Sequence, residues 1–345
     1  MSAGYVAVQW NRKKMIYDAI VLTCVVLYTM IFSAVANLGR AEGHTYSSWL
    51  VDIRAWGSCA FLMLTTILSI GPLARLDRRF LPLLYNRRHF GVIFFFVAAY
   101  HGLQVIDTYY AFGSASKWRA LFEYDTAFTA QTVPFVLFGI AGLSVFGILA
   151  ATSHDYWQKV LGPRTWKALH FGAYLGYLLI VMHVAFGAMQ SEARPGWTTL
   201  VALSVLTVCG LHIAAARKSA SIDRDVRLVR LAAGDAWIDA GPLERFAPDV
   251  VVGVAAAGSE RIAVVRRGDR VHAVSGVCAH QGGPLAEGRV IDGCLTCPWH
   301  GWQYRPETGE APPPFEEKLA TYEVREQDGR IWVRAEPKRE CGVRS

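Results

Sequence analysis

The sequence predicts a six-helix transmembrane bundle followed by a small all-β domain, and three observations predict it. Apolar runs fill the chain up to about Ala216, whereas the remainder is mixed and rich in Val, Gly and Arg. Six of those runs approach the roughly 20 residues that cross a hydrocarbon core of about 30 Å. Beyond Arg230, short β-rich runs alternate with Gly, Asp and Pro, as in a small β fold. The expected boundaries are a membrane domain over 1–216, a linker over 217–233, the β domain over 234–336 and a tail over 337–345.

The candidate spans are 16–36, 55–71, 90–110, 131–151, 168–189 and 197–215. The second is the shortest, and Gly71-Pro72 reads as its helix stop. Tyr and Trp near several ends suit interfacial anchors. The first run is too long for a secretory signal and lacks a small-residue cleavage site. Glycines such as Gly139 to Gly147 read as helix-packing surfaces, since no strand precedes them to make a phosphate loop.

Charge supplies an orientation. The chain is 53% hydrophobic and 18% charged with a net charge of +7, and its basic residues sit between apolar runs. That distribution argues against a nucleic-acid-binding face. Arg12, Lys13 and Lys14 precede the first span, and Arg75, Arg78, Arg79, Arg87 and Arg88 separate the second from the third. Lys159, Arg164 and Lys167 precede the fifth span, and Arg217 and Lys218 follow the sixth. The alternate loops carry fewer cations, so the positive-inside rule places both termini and the β domain in the cytoplasm of an inner-membrane protein.

In the β domain the expected strands are Val250–Val254, Arg261–Val265, Arg270–Val274, Thr321–Val324 and Ile331–Val333, with turns at Gly268-Asp269 and Asp328-Gly329. Between them lie Cys278-Ala279-His280 and, after a gap, Cys297-Pro298-Trp299-His300. One thiolate and one imidazole per loop suit an asymmetric [2Fe–2S] cluster, with cysteines on one iron and histidines on the other. A Cys₂His₂ zinc site competes, but zinc fingers usually pair Cys with Cys and His with His. Gly282, Gly283 and Gly301 follow the histidines, where the loops must turn tightly and offer N–H groups to sulfur. Cys294 makes a superficial C-x-x-C with Cys297 and reads as a strand residue. Cys24, Cys59 and Cys209 lie in apolar runs as small hydrophobes.

These ligands, with Gln281-Gly282-Gly283-Pro284-Leu285, Gly301-Trp302-Gln303-Tyr304 and Thr308-Gly309-Glu310, make residues from about Asp235 to Arg334 resemble a Rieske ferredoxin domain. The resemblance implies a cluster held by Cys278, His280, Cys297 and His300. The Rieske subunits of respiratory cytochrome bc complexes add one cysteine per ligand loop and join the two by a disulfide; Gly283 and Trp299 stand there here. Their serine bonded to cluster sulfur is replaced by Trp302, while their tyrosine is matched by Tyr304. Fewer hydrogen bonds to sulfur imply a potential nearer about −150 mV than +300 mV.

Ionisable residues inside spans are costly and usually functional. His101 lies in the third span with His89 at its start; His170 and His183 lie in the fifth, and His212 in the sixth. His212 and His89, taken alone, read as hydrogen-bonding to a neighbouring helix. Counting from the basic anchors at 1.5 Å per residue puts His101 and His183 at matching depth, where they could ligate one b-type haem. His170 lies about 20 Å nearer the cytoplasm, level with His89, which leaves one or two haems. Arg87-Arg88, Gly91, His101, Leu161-Gly162, Trp166, Leu169-His170, Tyr174 and His183 make residues 50–190 similar to the ferric-reductase-like membrane domain. The likeness is strongest to the haem-binding membrane subunit of the bacterial methionine-sulfoxide reductase system. It implies that His101, His170 and His183 are haem-associated.

The expected function is membrane electron transfer between a soluble cytoplasmic donor such as a reductase, the cluster, haem b and an acceptor at the outer face, a quinone or a protein. Two rivals stand beside it. A Rieske oxygenase needs a further iron site of two histidines and a carboxylate, and no histidine follows His300. A ferredoxin merely tethered to the membrane needs only one span.

Overall fold

A computed structural model describes residues 12–41, 47–80, 86–109, 134–187, 195–233, 237–255, 261–279, 282–298, 301–313 and 315–338, with Leu83, Ser116, Trp118 and Met189. The chain forms two compact units, one drawn from Gln9–Gly71 and Asn86–Leu211, the other including Pro72–Tyr85 and His212–Ser345.

The helices are α1 (Arg12–Ala41), α2 (Ser48–Leu76), α3 (Arg87–Tyr109), α4 (Phe135–Ala151), α5 (Asp155–His170), α6 (Gly172–Phe186) and α7 (Pro195–Ala233). Among the described residues, five stretches are long and apolar enough to cross a membrane: Met15–Leu38, Ser48–Leu76, Arg87–Thr108, Thr165–Phe186 and Pro195–Lys218. Helix α4 is apolar but has 17 residues, about 26 Å of rise, which is short of a full crossing. Helices α5 and α6 meet at Phe171, whose backbone stays helical (φ −63°, ψ −20°), so together they supply one span.

Two local expectations are corrected. Helix α2 does not stop at Gly71-Pro72; it continues to Leu76 with Pro72 inside it. Proline removes one backbone donor, and membrane helices tolerate that where neighbouring groups re-satisfy the backbone. The stretch expected as a linker, 217–233, is helical and continuous with α7. Its Arg, Lys, Ala and Leu content favours helix, and charge alone is no barrier to one outside the bilayer. Lys218 Nζ donates to the Arg75 and Leu76 carbonyls and so caps the C-terminus of α2.

Of the five spans, Ser48–Leu76 is the most buried and Met15–Leu38 the most exposed. Cys59, Phe61, Leu64 and Leu68 of α2 share a core with Phe94 of α3, Phe146 of α4 and Tyr177 of α6. Helices α4 and α6 approach closely because glycine faces bulk across them. A Cβ at Gly142 would stand 2.8 Å from Ile180, one at Gly176 2.6 Å from Phe146, and one at Gly187 2.6 Å from Phe135. Small residues at such crossings let backbones approach where no hydrophobic force separates helix from lipid.

The β domain has strands β1 (Trp237–Pro242), β2 (Val251–Ala255), β3 (Arg261–Arg267), β4 (Arg270–Ser275), β5 (Arg289–Ile291), β6 (Cys294–Thr296), β7 (Gln303–Tyr304), β8 (Thr321–Gln327) and β9 (Arg330–Pro337). A six-stranded sheet runs β1-β9-β8-β4-β3-β2 and a three-stranded sheet β5-β6-β7. Strand β3 shows how the layers divide. Ile262, Ala263, Val264 and Val265 are all fully buried, with alternate residues entering different cores. Ile262 and Val264 join Ile238, Phe246 and Ile331, while Ala263 and Val265 join Leu285, Leu295, Tyr304, Cys278 and Cys297. The second core thus contains the two cysteines.

Candidate redox centres

The two cysteine loops are built alike. The Cys278 N–H donates to Gly283 O (2.8 Å), and the Gly282 N–H closes the turn on Cys278 O (2.7 Å). In the second loop the Cys297 N–H donates to Trp302 O (2.8 Å), and the Gly301 N–H closes on Cys297 O (2.9 Å). Gly282 and Gly301 both have φ +70°, where an L side chain is strained. The N–H groups of Gly282 and Gly301 therefore close the two turns on carbonyls.

Cys278 and Cys297 are each 2% exposed, in the same apolar core. The Cys278 Sγ lies 3.5 Å from the Tyr304 hydroxyl, and Tyr304 is fully buried. As a ligand Cys278 would be a thiolate, so the phenol would donate to it. The second loop continues into β7, and Trp302, at the position where bc-type domains carry serine, packs on Phe315 at 4.2 Å. Cys294 sits on β6, half-buried and outside the cysteine core. Two buried thiols on matching turns, with a buried hydroxyl aimed at one of them, fit the thiolate half of a [2Fe–2S] site. The sequence-predicted ligands His280 and His300 lie outside the described residues.

In the membrane unit, His101 of α3 and His183 of α6 come together, their ring centroids 6.4 Å apart and their planes at 75°. Each ring is held by a backbone carbonyl. His101 Nδ1 lies 3.0 Å from Ile53 O in α2, and His183 Nδ1 lies 2.9 Å from Phe135 O at the start of α4. A carbonyl only accepts, so Nδ1 carries the proton and Nε2 keeps its lone pair in both rings. Metal–nitrogen bonds are about 2 Å long, so two imidazoles that share one metal must bring their rings within a few ångströms of each other, as these two are. The pair therefore fits two imidazoles that would hold one haem iron between them, with each N–H anchored on a carbonyl as ligating histidines commonly are.

His170 is not part of this pair. It ends α5, its Nδ1 donates to Trp166 O (3.0 Å), and its ring stacks on Trp166 at 3.7 Å. Its Nε2 is buried without a hydrogen-bond partner. Arg88 lies over the other ring system, 5.1 Å from the Trp166 centroid. His89 Nδ1 donates to Asp18 Oδ2 of α1 at 3.0 Å. Sequence reasoning passed over Asp18, although it is the single acidic residue of the first span. It also missed the two acceptor carbonyls, which carry no sequence signature.

Residues 236–323 match the family model described as Rieske [2Fe-2S] domain, and residues 54–181 match that described as Ferric reductase like transmembrane component. The anthranilate 1,2-dioxygenase ferredoxin subunit of Burkholderia cepacia is 36% identical over 99 residues, which are 28% of this chain and 90% of that protein. The methylxanthine N1-demethylase NdmA of Pseudomonas putida is 32% identical over 91 residues, 24% of this chain, and the chain spans only 26% of the length of that relative. Among solved structures, a complex of reduced oxygenase and oxidized ferredoxin in carbazole 1,9a-dioxygenase aligns at 29% identity. It covers 30% of this chain and 98% of that one, with a TM-score of 0.29. The chain therefore belongs to the Rieske [2Fe–2S] domain family through residues 236–323, joined to a ferric reductase-like transmembrane domain over residues 54–181.

Proposed function

We propose that the protein is a membrane electron-transfer protein that passes single electrons between a cytoplasmic donor, a Rieske [2Fe–2S] cluster and intramembrane b-type haem. Cys278, His280, Cys297 and His300 would hold the cluster, and His101 and His183 the haem iron, with His170 available to a second haem. When bound, each group stores and releases one electron. The chain's own residues supply the rest. Tyr304 donates toward a ligating sulfur, the core that contains the cysteines excludes water, and backbone carbonyls orient both membrane imidazoles.

The reading rests above all on the His101–His183 pairing. A tether needs one span and no histidines, whereas two rings at 6.4 Å from separate helices suit a shared metal. The basic loops support a cytoplasmic Rieske domain and six crossings, α4 being the short one. Because one relative is the ferredoxin subunit of a dioxygenase, a soluble reductase is the natural donor class, and a quinone or outer-face protein the acceptor.

The test is an optical and EPR spectrum of the detergent-purified, haem-supplemented full chain, oxidised and dithionite-reduced. A Rieske signal together with a reduced b-type α-band supports the relay, and haem per cluster gives the number of filled sites. A Rieske signal without any haem band would leave a membrane-tethered ferredoxin.

A further inference from the structure

We infer that Gly57 and Gly139 are positioning residues for the two membrane histidines, each leaving out the side chain that would hold an imidazole away from a helix carbonyl. The inference builds on the relay reading, in which His101 and His183 bind haem iron.

The two sites repeat one arrangement on different helices. His101 bonds to Ile53 O, and Gly57 stands four residues after Ile53 in α2. His183 bonds to Phe135 O, and Gly139 stands four residues after Phe135 in α4. In an α-helix the carbonyl of residue i points toward residue i+4, whose N–H it accepts. A side chain at i+4 therefore flanks the path by which a second donor reaches that carbonyl.

The distances show that nothing larger fits. A Cβ on Gly57 would lie 2.9 Å from His101 Cε1 and 3.1 Å from Nδ1. One on Gly139 would lie 2.8 Å from His183 Nδ1 and 2.9 Å from Cε1. Non-bonded carbon contacts settle near 3.5–4.0 Å, so either ring would have to retreat. An imidazole is rigid, and a retreat of its Nδ1 edge stretches the very hydrogen bond that fixes its tautomer and direction. Among the described glycines, no other would set a Cβ against a histidine ring. A Cβ at Gly91 in α3 or at Gly210 in α7 would meet nothing within 4 Å. Gly142 is as crowded as Gly139, but by the Ile180 side chain, with no histidine involved.

Ligating histidines that lose such an N–H partner typically lose 10–100-fold in metal affinity, and the ring becomes a weaker electron donor to the metal. The experiment compares full-length wild type with Gly57→Ala, Gly139→Ala, Gly91→Ala and Gly142→Ala, purified in detergent and titrated with haem. Haem affinity, low-spin EPR line positions and midpoint potential are read, with monodisperse elution in detergent reporting a folded membrane unit.

Gly57→Ala and Gly139→Ala are expected to bind haem about 10–100-fold more weakly. Haem that remains should show shifted low-spin lines and a more positive midpoint, because a less basic imidazole favours the ferric state less. Gly91→Ala should match wild type, and Gly142→Ala should keep wild-type line positions. Each glycine is read separately, so if one variant does not insert the other decides. Wild-type affinity, lines and midpoint in the folded Gly57→Ala or Gly139→Ala chain would overturn the assignment. So would equal line shifts in Gly142→Ala, which would make the effect one of helix packing. Wild type that takes up no haem overturns the relay reading itself, a result distinct from either.

Discussion

The Tyr304 hydroxyl stands 3.5 Å from the Cys278 sulfur inside a core where both residues are buried. A donor aimed at sulfur stabilises the more negative, reduced cluster more than the oxidised one. With a charged acceptor such a bond contributes about 1.5–3 kcal/mol, of which only part differs between redox states.

Tyr304→Phe should therefore lower the cluster potential. A differential of about 0.5–1.5 kcal/mol corresponds to roughly 20–65 mV at 59 mV per tenfold for one electron. An EPR-monitored redox titration of the full chain reads it. An unchanged or raised potential would mean that the hydroxyl does not donate to the ligand sulfur.

The matched turns after the cysteines make a second prediction. Gly282 and Gly301 share φ +70°, and an L residue in that region costs about 1–2 kcal/mol. Gly282→Ala and Gly301→Ala should each lower the thermal midpoint of cluster loss and raise its rate. Gly210→Ala, in open space on α7, should do neither. Loss of the visible cluster absorbance on heating distinguishes them.

Much of this was legible in the sequence because burial writes itself into composition. Apolar runs announced the five long spans and the shorter α4, and the Val- and Ile-rich runs announced β2, β3, β4, β8 and β9. Strands β5, β6 and β7 escaped because two or three residues carry no readable alternation, and β1 escaped because its buried run Ile238–Gly241 does not alternate. The Asp292-Gly293 turn between β5 and β6, with both residues at positive φ, was the one available sign. The course of α2 past Pro72 and of α7 to Ala233 depends on context that local propensity does not contain. The depth count from basic anchors was enough to pair His101 with His183. It could not reveal Gly57, Gly139 or the carbonyls of Ile53 and Phe135, because those roles exist only once helices meet.

The separation of His170 from the paired rings gives a third prediction. His101→Ala and His183→Ala should each abolish the low-spin haem of the pair while keeping the cluster EPR signal. His170→Ala should retain that haem, since its ring is anchored on Trp166 and contributes no edge to the pair. Pyridine-haemochrome content per cluster, measured beside EPR, separates the cases. Loss of the paired haem in His170→Ala would show that the assignment of ligands is wrong.

A fourth prediction concerns acid. His272 on β4 has its pKa pushed down from about 6.5, first by burial, with Lys338, Arg270 and Arg267 adding repulsion against the opposing pull of Glu307. The folded domain therefore binds the His272 proton less readily than the unfolded chain does. The sign follows: this contribution is fully present above about pH 6.5 and is lost as pH falls from there through the lower folded value. His272→Gln removes the titration, so the variant should lose less stability than wild type between pH 7.5 and 5.5. Urea midpoints for the β-domain transition, followed by circular dichroism of the full chain at both pH values, measure that difference in slope. Parallel losses in the two proteins would mean that His272 titrates alike in the folded and unfolded states, and that burial on β4 leaves its proton affinity untouched.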